Sequence, residues 1–269
     1  MTATLAVEQQ RVRRTRTTTP KRIPTTRIVA VEMRKMFDTR SGFWLMAGIG
    51  ILATLATGAV ILFAPDSELT YETFATAIGF PMAVILPMVG ILSVTSEWTQ
   101  RTGLSTFTMV PHRGRVIGAK AIVALVVAVT SMLLAAGIGA IGNVVGTAIT
   151  GTDLVWNVSV AELAGIILGN TLGMAVGFML GVLIRNSPGA IVAYFVYSLL
   201  LPTITTLLAQ SQDWFADRQA WLDFNYAQGP LFEGSVNGEQ WAQLGVTAFF
   251  WLVLPLAFGL VAIRRSEVK

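Results

Sequence analysis

Cysteine is absent from all 269 residues, so a disulfide framework, a thiolate metal site and a cysteine nucleophile are excluded together. Histidine occurs once, as His112 between Pro111 and Arg113, and no His-Glu-x-x-His pair exists. That removes the zinc-protease pattern, and no other metal-ligand cluster is legible. A phosphate-gripping Gly-x-x-x-x-Gly-Lys-Ser/Thr loop is also lacking: Gly114 to Lys120 holds glycines and a lysine without the spacing or the hydroxyl residue. The chain is therefore expected to be no enzyme, with no ATPase motif of its own. Charge is scarce as well, at 13% of residues, about half the share of a soluble domain. The net charge of +4 sits in a tail and short loops and not on a folded basic face, which argues against nucleic acid as a partner.

What is present is apolar, 54% of the chain. Six uncharged stretches, 43–63, 74–95, 121–149, 163–184, 190–209 and 244–263, each reach the roughly 20 residues that a hydrocarbon core of about 30 Å demands. Such a pattern predicts an all-α integral membrane protein with six transmembrane helices. Lys and Arg collect before the first stretch, in 96–120, at Arg185 and after the sixth stretch; the other loops hold Arg218 alone. Asp66, Glu68, Glu72, Asp153, Glu162, Asp213, Asp217, Asp223, Glu233 and Glu239 fall on the opposite side. The bias predicts cytoplasmic N- and C-termini in a multi-pass protein of the plasma membrane.

Residues 1–26 carry Arg11, Arg13, Arg14, Arg16, Lys21 and Arg22 among threonines, with Pro20 and Pro24, and read as a disordered basic cytoplasmic tail. Between 27 and 40, Val29, Met33, Met36 and Phe37 recur at helical spacing while Arg27, Arg34, Lys35 and Asp38 take other faces. This predicts an amphipathic lead-in helix lying in the inner interface. The external segment 210–243, with Trp214, Phe215, Trp221 and Leu222 alternating with Asp213, Asp217 and Arg218, predicts an interfacial or re-entrant helix ended by Gly229-Pro230.

Within the loop 96–120, Glu97 and Arg101 stand four apart in the favourable order for a helical pair, worth about 0.2 to 0.5 kcal/mol. Leu104, Phe107 and Val110 then form a ridge every third residue. It either receives a partner or lies on the membrane. The fourth stretch carries Gly165, Gly169, Gly173, Gly177 and Gly181 at spacing four, a strip that another helix can approach closely, as static packing or as a sliding contact. Pro81 and Pro87 interrupt the second stretch, Pro202 the fifth and Pro255 the sixth, each allowing a bend. Tyr194, Tyr197, Ser198 and Thr205 fall near one face of the fifth, and Asn170 near the middle of the fourth. Polar groups at depth need partners, so they line a cavity or bond a neighbouring helix.

The order of these parts resembles an ABC-2 type permease: Glu32 with Arg34 and Lys35 on a lead-in helix, six spans, and a second loop reading Ser96-Glu97-Trp98-Thr99-Gln100-Arg101-Thr102-Gly103, then Pro111-His112-Arg113 and Lys120. Asn225-Tyr226-Ala227 and Gly229 before the sixth span and Arg264-Arg265 after it also fit, so the resemblance covers roughly residues 27 to 269. It implies a transmembrane subunit that works as a homodimer or heterodimer with a second permease. A separate ATPase subunit would bind ATP and Mg. The loop with Glu97, Arg101, Leu104, Phe107, Pro111 and Arg113 would couple to it, and the second and fifth spans would line the path of an exported amphipathic or peptide-like compound. Two other classes remain open on this sequence: an ion-coupled secondary carrier, against which stands the lack of any carboxylate within a span, and a non-transporting membrane scaffold or sensor.

Overall fold

The computed structural model describes residues 23–99 and 113–265, and throughout these the regular structure is helical. The lead-in helix α1 (Thr25–Asp38) turns at Thr39 into α2 (Arg40–Phe63), which forms the first span. The Thr39 hydroxyl makes that turn by accepting the Gly42 N–H at 3.1 Å, an N-cap that satisfies one of the orphan donors of α2. α3 (Tyr71–Thr99), α4 (Arg113–Thr150) and α5 (Val160–Ile184) are the second to fourth spans. The fifth span runs through α6 (Ser187–Phe195), a π turn (Val196–Leu200) and α7 (Leu201–Ser211). Short helices α8 (Asp213–Ala216), α9 (Gln219–Leu222) and α10 (Phe224–Gln228) follow, then a 3₁₀ turn at Gly229–Phe232. The sixth span combines α11 (Gly238–Ala248), a second π turn (Phe249–Val253) and α12 (Leu254–Arg265).

Six of these helical runs are long and apolar enough to cross a bilayer, so the chain is a multi-pass membrane protein. The boundaries move where helices outrun the hydrocarbon. α4 has 38 residues, about 57 Å at 1.5 Å per residue, so it projects well past a core of about 30 Å. Its first turns absorb 113–120, expected as loop, and α3 likewise continues to Thr99. The sixth span begins at Gly238 and not near 244, because Asn237 and Gln240 form a reciprocal capping box that starts the helix early.

α3 and α5 form the centre. The fourth span is 56% buried within the chain and the fifth only 6%, so the fifth stands at the periphery. The main cluster joins Ile49 and Ala53 of α2, Ile78, Met82 and Leu86 of α3, Ala124, Ala128 and Met132 of α4, and Met174, Phe178 and Val182 of α5. α1 is not merely laid on a surface: Val29, Met33 and Met36 pack against a cluster of Val89, Val123 and Val127. The face with α1, Lys120 and Arg185 is the basic face, and the one with Glu72, Asp153, Glu162 and Glu239 the acidic face.

Candidate functional site

On the basic face, Glu32 is the organising group. Successive α-helical residues are 100° apart, so Glu32 lies on the same side of α1 as Ile28 and Met36, and this side is turned inward. There its carboxylate accepts from Lys120 Nζ at 2.6 Å and from Lys35 Nζ at 2.9 Å. Glu32 and Lys120 side chains are 5% and 6% exposed, so their contact is nearly dry, with the more exposed Lys35 as the carboxylate's second cation. Arg115 adds a second tie from α4, donating to the Ile23 carbonyl at 2.7 Å and to the Thr25 hydroxyl at 3.1 Å. Arg34 is exposed on the opposite side of α1.

The ends of the core pair meet the fifth span on the same face. Ser187 donates to Thr95 at 2.8 Å, both buried, while Thr95 donates back to the Ile91 carbonyl. α5 ends at Arg185 with φ 56°, the left-handed conformation, and Asn186 caps α6 through the Gly189 N–H. Of the loop residues singled out from the sequence, Arg101, Leu104, Phe107 and Pro111 lie outside the described residues, as do the side chains of Glu97 and Arg113. Residues 1–22 of the basic tail lie outside them too.

Toward the acidic face, Tyr194 is buried and its hydroxyl donates to the Ala83 carbonyl of α3 at 3.1 Å. Tyr197 is partly buried, in ring contact with Tyr194 at 6.4 Å and Trp251 at 6.2 Å, and its hydroxyl has no hydrogen-bond partner. Ser198 is partly exposed within the π turn. Thr205 donates to Asp223 Oδ2 at 2.6 Å. Asp223 is 3% exposed and also caps α10, accepting the N–H groups of Asn225 at 2.9 Å and Tyr226 at 3.3 Å.

The segment between the fifth and sixth spans packs back against both. Trp251, the fourteenth residue of the 26-residue sixth span Gly238–Ile263, donates its indole N–H to the Leu222 carbonyl at 2.8 Å. Asn225 reaches the Tyr197 carbonyl at 3.2 Å. The segment thus folds against the fifth and sixth spans and carries Asp223 in beside the fifth. Sequence patterning placed every carboxylate outside the spans because Asp223 lies outside every apolar run; only the packing of 213–232 against the spans changes its surroundings.

The glycine strip of α5 is used along its whole length. A Cβ on Gly165 would strike the Leu231 carbonyl, and one on Gly169 the Phe232 ring at 2.5 Å. One on Gly177 would strike the Pro87 backbone of α3, and one on Gly181 would stand 3.1 Å from the Ile91 carbonyl. Gly173 differs, since its nearest neighbours, Tyr194 Oη at 3.7 Å and Pro87 Cγ at 3.9 Å, would be in ordinary contact with a methyl group. Asn170 is 5% exposed and donates to the Ile166 carbonyl at 3.0 Å, with its own oxygen unpartnered.

Sequence reasoning had named Glu32 without its partner in α4 and had missed Asp223 and the two π turns. A carboxylate on the apolar side of an amphipathic helix was the available signal for Glu32. Among the described residues no group of His, Asp and Glu is arranged to hold a metal ion.

Together these features define a multi-pass α-helical membrane protein whose basic face locks a lead-in helix to the third span and whose acidic face folds the segment 213–232 against the fifth and sixth. The chain matches no family model, and comparison with curated proteins finds no match.

Proposed function

We propose that the chain is the membrane-spanning subunit of an ATP-driven transporter of the ABC-2 type, exporting an amphipathic or peptide-like compound. It works as a dimer with a second permease, and a separate ATPase subunit binds ATP and Mg. The basic face is cytoplasmic, in the plasma membrane. The observation that carries this reading is the buried Glu32–Lys120 pair. It fastens α1 to the helix that emerges from 100–112, so a load applied to that loop would act on α3, α4 and α1 together rather than dissipate in a flexible connection. The fifth span supplies a second support. Thr203, Thr206 and Gln210, three and four apart, are exposed on the side of α7 turned away from the rest of the chain, interleaved with exposed Leu199 and Leu207. Polar groups at that position suit a wet path shared with a second subunit better than hydrocarbon.

The test is co-purification. Leu104→Ser with Phe107→Ser should abolish capture of the ATPase by the tagged chain and ATP-driven export, with the chain itself still inserted and folded. Retained capture and export remove the assignment.

Asp223 favours one competing reading, the ion-coupled carrier, because a buried carboxylate beside a span is a functional group by default. That reading requires solute flux by the purified chain under an ion gradient, without nucleotide, lost in Asp223→Asn.

A further inference from the structure

The outer half of the fifth span, α7, differs from the other α-helical parts of the spans: none of its residues from Leu201 to Ser211 is fully buried. Each of its ends is a break in α-helical geometry. Below it lies the π turn, where the Leu201 N–H reaches the Val196 carbonyl five residues back. Above it Gln212 is extended, with φ −137° and ψ 104°, and the chain next buries a side chain at Phe215.

Pro202 explains the lower break. A proline ring collides with the carbonyl four residues earlier and has no N–H to offer, and widening the turn relieves the collision. The Tyr197 carbonyl is then left without a backbone donor. Its α-helical donor, the Leu201 N–H, is taken by Val196, and its π-type donor would be Pro202. Asn225 of the segment 213–232 fills the vacancy at 3.2 Å.

The hydrogen bonds of α7 side chains are equally sparse. Thr203 and Ser211 donate to carbonyls of the preceding turn, whereas the single Thr205 proton has the Leu201 and Pro202 carbonyls at 3.1 and 3.2 Å as alternatives to Asp223. Among the described residues, one side-chain bond leaves α7 for another element, Thr205 Oγ1 to Asp223 Oδ2. Its acceptor is fixed: Asp223 caps α10, and the 3₁₀ turn that follows α10 is seated on Gly165 and Gly169 of the central helix α5.

We propose that α7 is a swinging arm, hinged at the π turn Val196–Leu200 and at Gln212, and latched to the body of the protein by Thr205 on Asp223. The segment 213–232 is the post to which the arm is fastened. Breaking the latch costs little core packing, because no side chain of the arm is fully buried and only Leu201, Pro202, Thr205, Leu208 and Ala209 are partly so. The Asn225 contact keeps the hinge itself satisfied while the arm moves. This inference does not rest on the transport reading, since the arm needs neither nucleotide nor a partner subunit.

The natural absence of cysteine makes the test direct. Spin labels are placed at Gln210→Cys on the arm and Asp153→Cys on the 151–159 loop, which is pinned to α3 and α4 through Val155 and Asn157. A control pair combines Asp153→Cys with Glu233→Cys, beside the post. Distances are measured on the full chain in lipid nanodiscs. Thr205→Val removes the latch hydroxyl at nearly constant volume and should raise a second Asp153–Gln210 distance population about fivefold, the factor expected for one hydrogen bond of ordinary worth. Thr205→Ser should restore the original distribution, Asp223→Asn should weaken the latch in the same direction, and the control distance should stay constant. A single Asp153–Gln210 distance unchanged by both Thr205→Val and Asp223→Asn overturns the arm, as does an equal change in the control pair. Amide exchange on the unmodified chain gives a reading that no variant can spoil: 203–211 should exchange faster than 190–195, and equal protection also counts against the proposal.

Discussion

The hydroxyl of Tyr194 donates to the carbonyl of Ala83 at 3.1 Å, and Ala83 stands four residues before Pro87. In an unbroken helix that carbonyl would accept the N–H of residue 87, which proline lacks. A tyrosine of the fifth span thus completes the backbone of the second where Pro87 offers no donor.

Tyr194→Phe should therefore cost about 1 to 3 kcal/mol, the penalty of a buried acceptor left empty. Restoring the backbone donor with Pro87→Ala in the same chain should recover most of it. Thermal unfolding of the single and double variants in one detergent checks this coupling, and additive losses would show that the hydroxyl serves something other than Ala83.

Removing Lys120 takes the more buried of two cations from the nearly dry Glu32 carboxylate and leaves Lys35 at 2.9 Å. Lys120→Met alone is expected to cost about 1 to 3 kcal/mol, more than Arg34→Met on the exposed side of the same helix. Adding Glu32→Gln to Lys120→Met should return part of the loss, because the buried carboxylate that Lys35 alone then serves is gone. Denaturant titration of the three variants reads the difference.

Along α5 the glycines should respond unequally to alanine. Gly177→Ala and Gly165→Ala meet the backbone of Pro87 and Leu231, which cannot step aside, and should lose folded protein; Gly173→Ala meets atoms at 3.7 Å or more and should be tolerated. Monodisperse yield and melting temperature across the three provide the ranking. Loss of folding in Gly173→Ala would mean that the strip is tighter than its neighbours indicate.

Arg185 holds a left-handed backbone, φ 56°, at the end of α5. Glycine has no steric penalty there, so Arg185→Gly should stabilise the fold by about 1 kcal/mol. A lowered melting temperature would show that the arginine side chain contributes more than its backbone strain costs.

Local pattern was enough for the six spans, since hydrocarbon length and the absence of charge are properties of contiguous residues. The amphipathic lead-in helix was legible for a similar reason, its apolar residues recurring at helical spacing. The glycine strip could be seen as a contact face, and its spacing alone did not say which helix it met or that Gly173 would be the loose position.

Other features depend on residues far apart in the chain. Glu32 and Lys120 are separated by 88 positions and Tyr194 and Ala83 by 111, and no periodicity connects them. Asp223 looks like an ordinary loop carboxylate until 213–232 folds back against the fifth and sixth spans. Apolar length and charge bias thus settled, from the sequence by itself, that this chain crosses a membrane. Which polar groups come to share a low-dielectric interior was decided by tertiary packing alone, because a buried charge or an orphaned carbonyl is stabilised only by the partner that the fold delivers to it.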